Sequence, residues 1–167
     1  MSTMVQPFRD VTGPGEERFE EEVLTHLDRV YAGALQLVPD RAAAEVLVQR
    51  AFDRAYVDFH WARPAGGVRA WLYGHLVAAW FEQDVRGHAA HRPAAGSPHS
   101  PDDVVYGVLD TLPPIVRITV YLADAEGLSK EEIARITEVP AGIVETRLRR
   151  AHEQMTGRLT DWLQRVL

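Results

Sequence analysis

Apolar residues return every three or four positions along most of this chain, the period of an amphipathic helix. From Glu16 the stripe runs through Phe19, Val23, Leu27, Val30, Ala34 and Leu37, and Pro39-Asp40 closes it. The spacing predicts one helix over this stretch. Glu16, Glu17 and Glu20 to Glu22 stand near its start, where the helix dipole favours carboxylates. Asp40 is placed to N-cap a second helix, in which Ala43, Val46, Leu47, Arg50, Ala51, Arg54 and Ala55 lead on to Phe59. The following HWARPAGG breaks the pattern with Pro64 and Gly66-Gly67. A third helix, over roughly 68–86, carries Trp71, Leu72, His75, Leu76, Ala79 and Trp80, with Trp71 expected in the core. No segment alternates with the two-residue period of a strand, and no internal repeat is present.

Residues 87–101 (GHAAHRPAAGSPHSP) hold almost no large apolar side chain and read as a linker. The expected architecture is therefore all-α, two small helical domains on a flexible tether. Residues 1–15 form an arm, 16–86 the first domain, 87–101 the linker and 102–167 the second domain.

The second domain contains the most specific motif. Ser129-Lys130-Glu131-Glu132 is a capping box, with Ser at the N-cap and Glu three residues on, just before apolar Ile133 and Ile136. Glu138-Val139 makes a turn, and Pro140 suits the first position of a further helix. In that helix Val144, Leu148, Ala151, Met155 and Leu159 form a core stripe. Thr146, Arg149 and Arg150 fall outward, with Arg147 at the stripe's edge. This is the grammar of a helix-turn-helix, whose second helix enters a DNA major groove. Arginines there can pair with phosphates or reach guanine edges.

Charge bears on that reading. The chain has 18 basic and 24 acidic residues, a formal net charge of −6, and Lys130 is its one lysine. Phosphate neutralisation supplies much of any DNA affinity, so an acidic chain is expected to bind DNA within a larger complex. The absence of cysteine excludes disulfides and thiolate metal sites. His88, His91 and His99 lie on or beside the tether without a fixed third ligand, so no metal and no cofactor are expected. There is no phosphate-cradling glycine loop and no nucleophile–base pair, which argues against an enzyme. No apolar run approaches the ~20 residues that span a bilayer, and residues 1–19 lack a signal-peptide core. A cytoplasmic protein is expected.

Three stretches together resemble the extracytoplasmic-function sigma factors of bacterial RNA polymerase, of the sigma-70 type. They are AAEVLVQRAFDRA (43–55), RAWL (69–72) and the segment 109–159, with LDTLPPIVR, LSKEEIA, VPAG and RLRRAH in register. The resemblance covers nearly all of residues 16–165. It implies a first domain (region 2) that binds the polymerase clamp and opens and reads the −10 element. It also implies a second (region 4) that reads the −35 element. By that resemblance Thr146, Arg147, Arg149 and Arg150 would meet −35 DNA. Trp61, Trp80, Phe81 and Arg86 would serve −10 reading or melting, though one ring of the Trp80-Phe81 pair could instead be core. Glu45, Leu47, Gln49 and Phe52 would bind polymerase. Core RNA polymerase, promoter DNA and an anti-sigma factor are the implied partners.

Several positions depart from the family pattern. Val46 stands where an acidic residue is common, Ala78 where Asn is usual, and Ile143 and Glu145 replace the Thr and Lys of Gly-Thr-Val-Lys. Those departures keep two further readings open. One is a sigma-like adaptor that occupies a polymerase, anti-sigma or partner-sigma surface with little promoter melting. The other is a simple regulator using the C-terminal half alone, where acidic residues outnumber basic ones.

Overall fold

The computed structural model describes residues 14–59, 67–84 and 98–167. The described residues are helical and contain no strand. Helix α1 (Pro14–Val23) passes through a 3-10 turn, Leu24–His26, into α2 (Leu27–Leu37). The apolar stripe predicted one continuous helix here. The tighter turn changes the phase, so Val23 and Val30 are fully buried while Leu24 and Leu27 are exposed. Leu27 therefore leaves the expected core stripe.

Helix α3 (Arg41–Phe59) starts as read: Asp40 Oδ1 accepts the Ala43 N–H at 2.8 Å. Its buried face is Ala44, Leu47, Val48, Ala51 and Ala55. The small alanines let α4 (Val68–Asp84) pack closely against it, with Leu72, Tyr73, Leu76, Val77, Ala79 and Trp80 turned inward. Trp71 is only half-buried, at the rim of this core between Phe59 and His75.

The second half opens at α5 (Pro101–Thr111). Its N-cap is Ser100, in a capping box with Asp103, so the helix begins inside the stretch read as linker. Hydrogen bonds from the His99 and Ser100 N–H groups and the Ser100 hydroxyl hold the Asp103 carboxyl below its usual pKa. Helix α6 (Pro114–Val120) runs into a π-helical segment, Tyr121–Ala125. Gly127 at φ +64° then turns the chain towards α7 (Lys130–Thr137). Helix α8 (Ala141–Val166) packs on α5, α6 and α7.

The two halves are not apart. Buried residues from α1–α4 and from α6–α8 form one continuous hydrophobic cluster, and α2 lies against α6 while α4 lies against α7. At the α2 crossing a Cβ on Gly33 would stand 2.7 Å from Tyr73 Cε1 and 3.4 Å from Tyr121 Cε1. Glycine is what allows the two aromatic rings to meet there.

Candidate nucleic-acid interface

The helix-turn-helix is built from local chemistry. Ser129 Oγ accepts the Glu132 N–H at 3.1 Å, and Glu132 Oε2 accepts the Ser129 N–H at 2.8 Å. These bonds satisfy two donors at the start of α7 that would otherwise lack a partner. The turn passes through Glu138 in the left-handed region, φ 54°, ψ 40°. A side chain there costs about 1 kcal/mol relative to glycine. Pro140 is the N-cap residue of α8 rather than its first helical residue.

Val144, Leu148 and Ala151 are buried, so the opposite face of α8 points away from the body of the protein. Arg149 and Arg150 are exposed. Thr146 is half-buried, and its hydroxyl donates back to the Gly142 carbonyl at 2.9 Å. Arg147 lies along a groove of about 340 Å³ with Leu112, Val116 and Ile143. Burial pulls its pKa below the ordinary guanidinium value, which still leaves it charged. Two carboxylates on the same helix answer these cations. Arg149 pairs with Glu153 at 3.2 Å, and Glu145 takes the lone lysine, Lys130, at 3.3 Å. The face thus offers phosphates only a small surplus of positive charge.

In the first half, Glu45 and Gln49 are exposed on α3 and Phe52 is half-buried, so these three share an accessible strip with exposed Val46. Leu47 is corrected: its side chain is wholly buried in the α3 core face and offers polymerase no surface. Trp80 is corrected likewise, because it is buried in the α4 core and its ring is not free to stack on a base. Its neighbour Phe81, 5.1 Å away between ring centroids, is the exposed member of the pair. Trp61 and Arg86 lie outside the described residues. Ala78 lines a groove between α4 and α7, opposite Glu132, Arg135 and Ile136.

The junction between the halves holds residues that sequence reasoning missed. Arg117, almost wholly buried, donates from Nε to the Gln36 carbonyl and from Nη1 to the Leu112 carbonyl, both at 2.9 Å. It thereby closes the C-terminal end of α2 onto the α5–α6 turn. Glu126, also buried, faces the first half: its Oε2 lies 3.7 Å from Arg29 and 3.6 Å from Arg69. The Tyr121 hydroxyl stands 3.1 Å from both Glu126 Oε1 and the Arg29 carbonyl. Having one proton, it donates to one of them at a time. The Tyr73 hydroxyl donates to the same Arg29 carbonyl at 2.9 Å, and burial raises the pKa of both phenols. The available signal was an Arg inside the apolar run Ile115-Val116-Arg117-Ile118, an expensive place for a charge without partners.

Comparison with known proteins agrees with this geometry. The family described as "Sigma-70, region 4" matches residues 103–155. The ECF RNA polymerase sigma factor SigE of Mycolicibacterium smegmatis is 30% identical over 155 residues, covering 82% of this chain and 60% of the relative. The ECF RNA polymerase sigma-E factor of Escherichia coli strain K12 is 34% identical over 62 residues, 37% of this chain and 32% of the relative. The chain therefore spans less than two thirds of the length of these relatives. Among solved structures, the sigma factor RpoE of Bartonella quintana, crystallised in complex with the anti-sigma factor NepR, superposes with a TM-score of 0.70 at 25% identity. That match covers 86% of this chain and 98% of the neighbour. Motif, all-helical fold and relatives converge, and the chain belongs to the extracytoplasmic-function sigma factors of the sigma-70 family.

Proposed function

We propose that the protein acts in transcription initiation as a sigma factor, binding core RNA polymerase and directing it to a promoter. Region 4 reads the −35 element with Arg149, Arg150 and Thr146, and Arg147 reaches phosphate from the groove edge. Region 2 meets polymerase through the strip Glu45, Gln49 and Phe52, and Phe81 is its exposed aromatic for the −10 element. The observation that carries this reading is the outward face of α8, held in place by a complete capping box and a left-handed turn. The modest cationic surplus of that face fits a protein whose affinity comes mainly from polymerase. The test is a pull-down with core polymerase followed by run-off transcription on genomic fragments. Co-purification and discrete transcripts are expected; absence of any association with polymerase would end the reading.

A second reading, a sigma-like adaptor, has its own support. Glu145 and Glu153 pair with the cations nearest the DNA face, and Ile143 is exposed where the family has Thr. It predicts stable binding to polymerase or to an anti-sigma factor with no run-off product. In that case Ala78→Asn combined with Glu145→Lys restores measurable transcription.

A further inference from the structure

Sharing a core does not require buried charge, yet the junction of the two halves is organised around it. Glu126 comes from the second half, just after the π-helical segment, and meets Arg29 of α2 and Arg69 of α4. Tyr121 and Tyr73 converge on the Arg29 carbonyl from opposite sides of the junction. A buried ionic cluster adds little net stability over an apolar contact, because desolvation offsets the Coulombic gain. It does demand one registry, and it becomes unfavourable as soon as one partner is lost. Such a junction is closed or open, with little between.

The closed form hides surface. Trp71, Gly74 and Ala78 of α4 face Glu132, Arg135 and Ile136 of α7 across one groove. The first helix of the helix-turn-helix and one side of α4 thus cover each other. The outer faces of α8 and α3 stay open. Closure is also incompatible with reading two promoter elements at once. Elements centred ~25 base pairs apart are separated by roughly 85 Å at ~3.4 Å per pair. A compact chain of this length has a radius of gyration of about 15 Å.

We propose that the Arg29–Glu126–Arg69 cluster, with Tyr73 and Tyr121, is an autoinhibitory latch that holds the free chain closed and is opened by polymerase. The meaning of opening rests on the sigma-factor reading above, but the latch itself is measurable without polymerase. Binding energy spent on parting the halves lowers the apparent affinity of the parent by the fraction of chain that is open. Weakening the latch removes that burden. Opening is therefore coupled to partner binding through a defined set of five side chains.

The absence of native cysteine makes the test direct. Asp53→Cys on α3 and Gln164→Cys on α8, both at exposed positions, take a donor–acceptor dye pair for single-molecule energy transfer on the full chain. The parent is expected to give one short-distance population. Glu126→Gln, which keeps the side-chain shape, and the double variant Arg29→Ala/Arg69→Ala should raise the long-distance population about tenfold or more. Their helical circular dichroism should match the parent. Core polymerase should shift the parent to long distance, and the latch variants should associate with it about tenfold faster. Unchanged distances in both latch variants would overturn the latch. So would variants that open yet bind polymerase no faster than the parent. Failure of every protein to bind polymerase would instead sink the sigma-factor reading, and the distances of the free chains would still decide whether the latch exists.

Discussion

Arg117 and Arg149 belong to the same half of the molecule and do opposite work. Arg117 is buried at the junction and donates to two backbone carbonyls, one from each half. Arg149 is exposed on α8 and pairs with Glu153 one turn away. A buried guanidinium with well-placed acceptors holds structure, because its loss leaves those acceptors dry and unpaired. An exposed i,i+4 pair is worth a few tenths of a kcal/mol and is screened by salt. The same side chain is structural at one site and available for recognition at the other, and burial makes the difference.

The sharpest way to break the comparison is Arg117→Ala. It removes two charge-assisted hydrogen bonds and the packing of a long side chain, so unfolding free energy should fall by about 3–5 kcal/mol in urea titration. Arg149→Ala should change stability by less than ~0.5 kcal/mol while weakening promoter binding by the holoenzyme. Equal losses from the two would refute the division of roles. Next in size is Gly33→Ala. The new Cβ would meet the Tyr73 ring, a fully buried group that cannot swing aside. An overpacking cost of about 1–3 kcal/mol is expected, together with displaced Tyr73 and Tyr121 resonances. A neutral Gly33→Ala would mean that the halves slide freely at this crossing.

Acid should loosen the first half through His75. Burial lowers its pKa, and the Arg54 charge adds to this, against the opposing pull of Asp58, whose Oδ2 is 3.6 Å from Nε2. Below its model value of 6.5 the unfolded chain takes up a proton that the folded chain resists. Stability is then complete above that pH and declines as pH falls towards the lowered folded value. Thermal melts of His75→Gln should lose this slope between pH 7 and 5, while a slope unchanged from the parent would assign it to the carboxylates.

What could be read from the chain followed the range of the interaction. Asp40 and the Ser129–Glu132 box act over three residues, and both formed as their spacing implied. Ser100–Asp103 carries the same local signal, and only its Pro- and Ala-rich surroundings concealed it. Phase was harder. Adjacent Val46 and Leu47 are both apolar, and burial of the second alone depends on where α4 crosses α3. The junction was out of reach, because Arg117 finds Gln36 across 81 residues and Tyr121 finds Arg29 across 92. No local pattern records such a meeting. Of the candidate site, the α8 face was legible from periodicity, but the pairing of its cations with Glu145 and Glu153 was not.

That pairing sets the smallest and most specific test. Glu145 is exposed, and its partner Lys130 sits at the start of α7. Glu145→Lys ends the ion pair and places two ammonium groups on one edge of the motif. Because both positions face water, the effect on folding should stay within about 0.5 kcal/mol. On DNA the change should be larger. If α8 lies along a phosphate track, one added contact steepens the slope of log affinity against log salt by about 0.9. Holoenzyme binding to a −35 duplex, measured across a salt series, reads that slope directly. An unchanged slope would mean that this edge of α8 does not face phosphate, and the recognition surface would then narrow to the Arg147–Arg150 side of the helix.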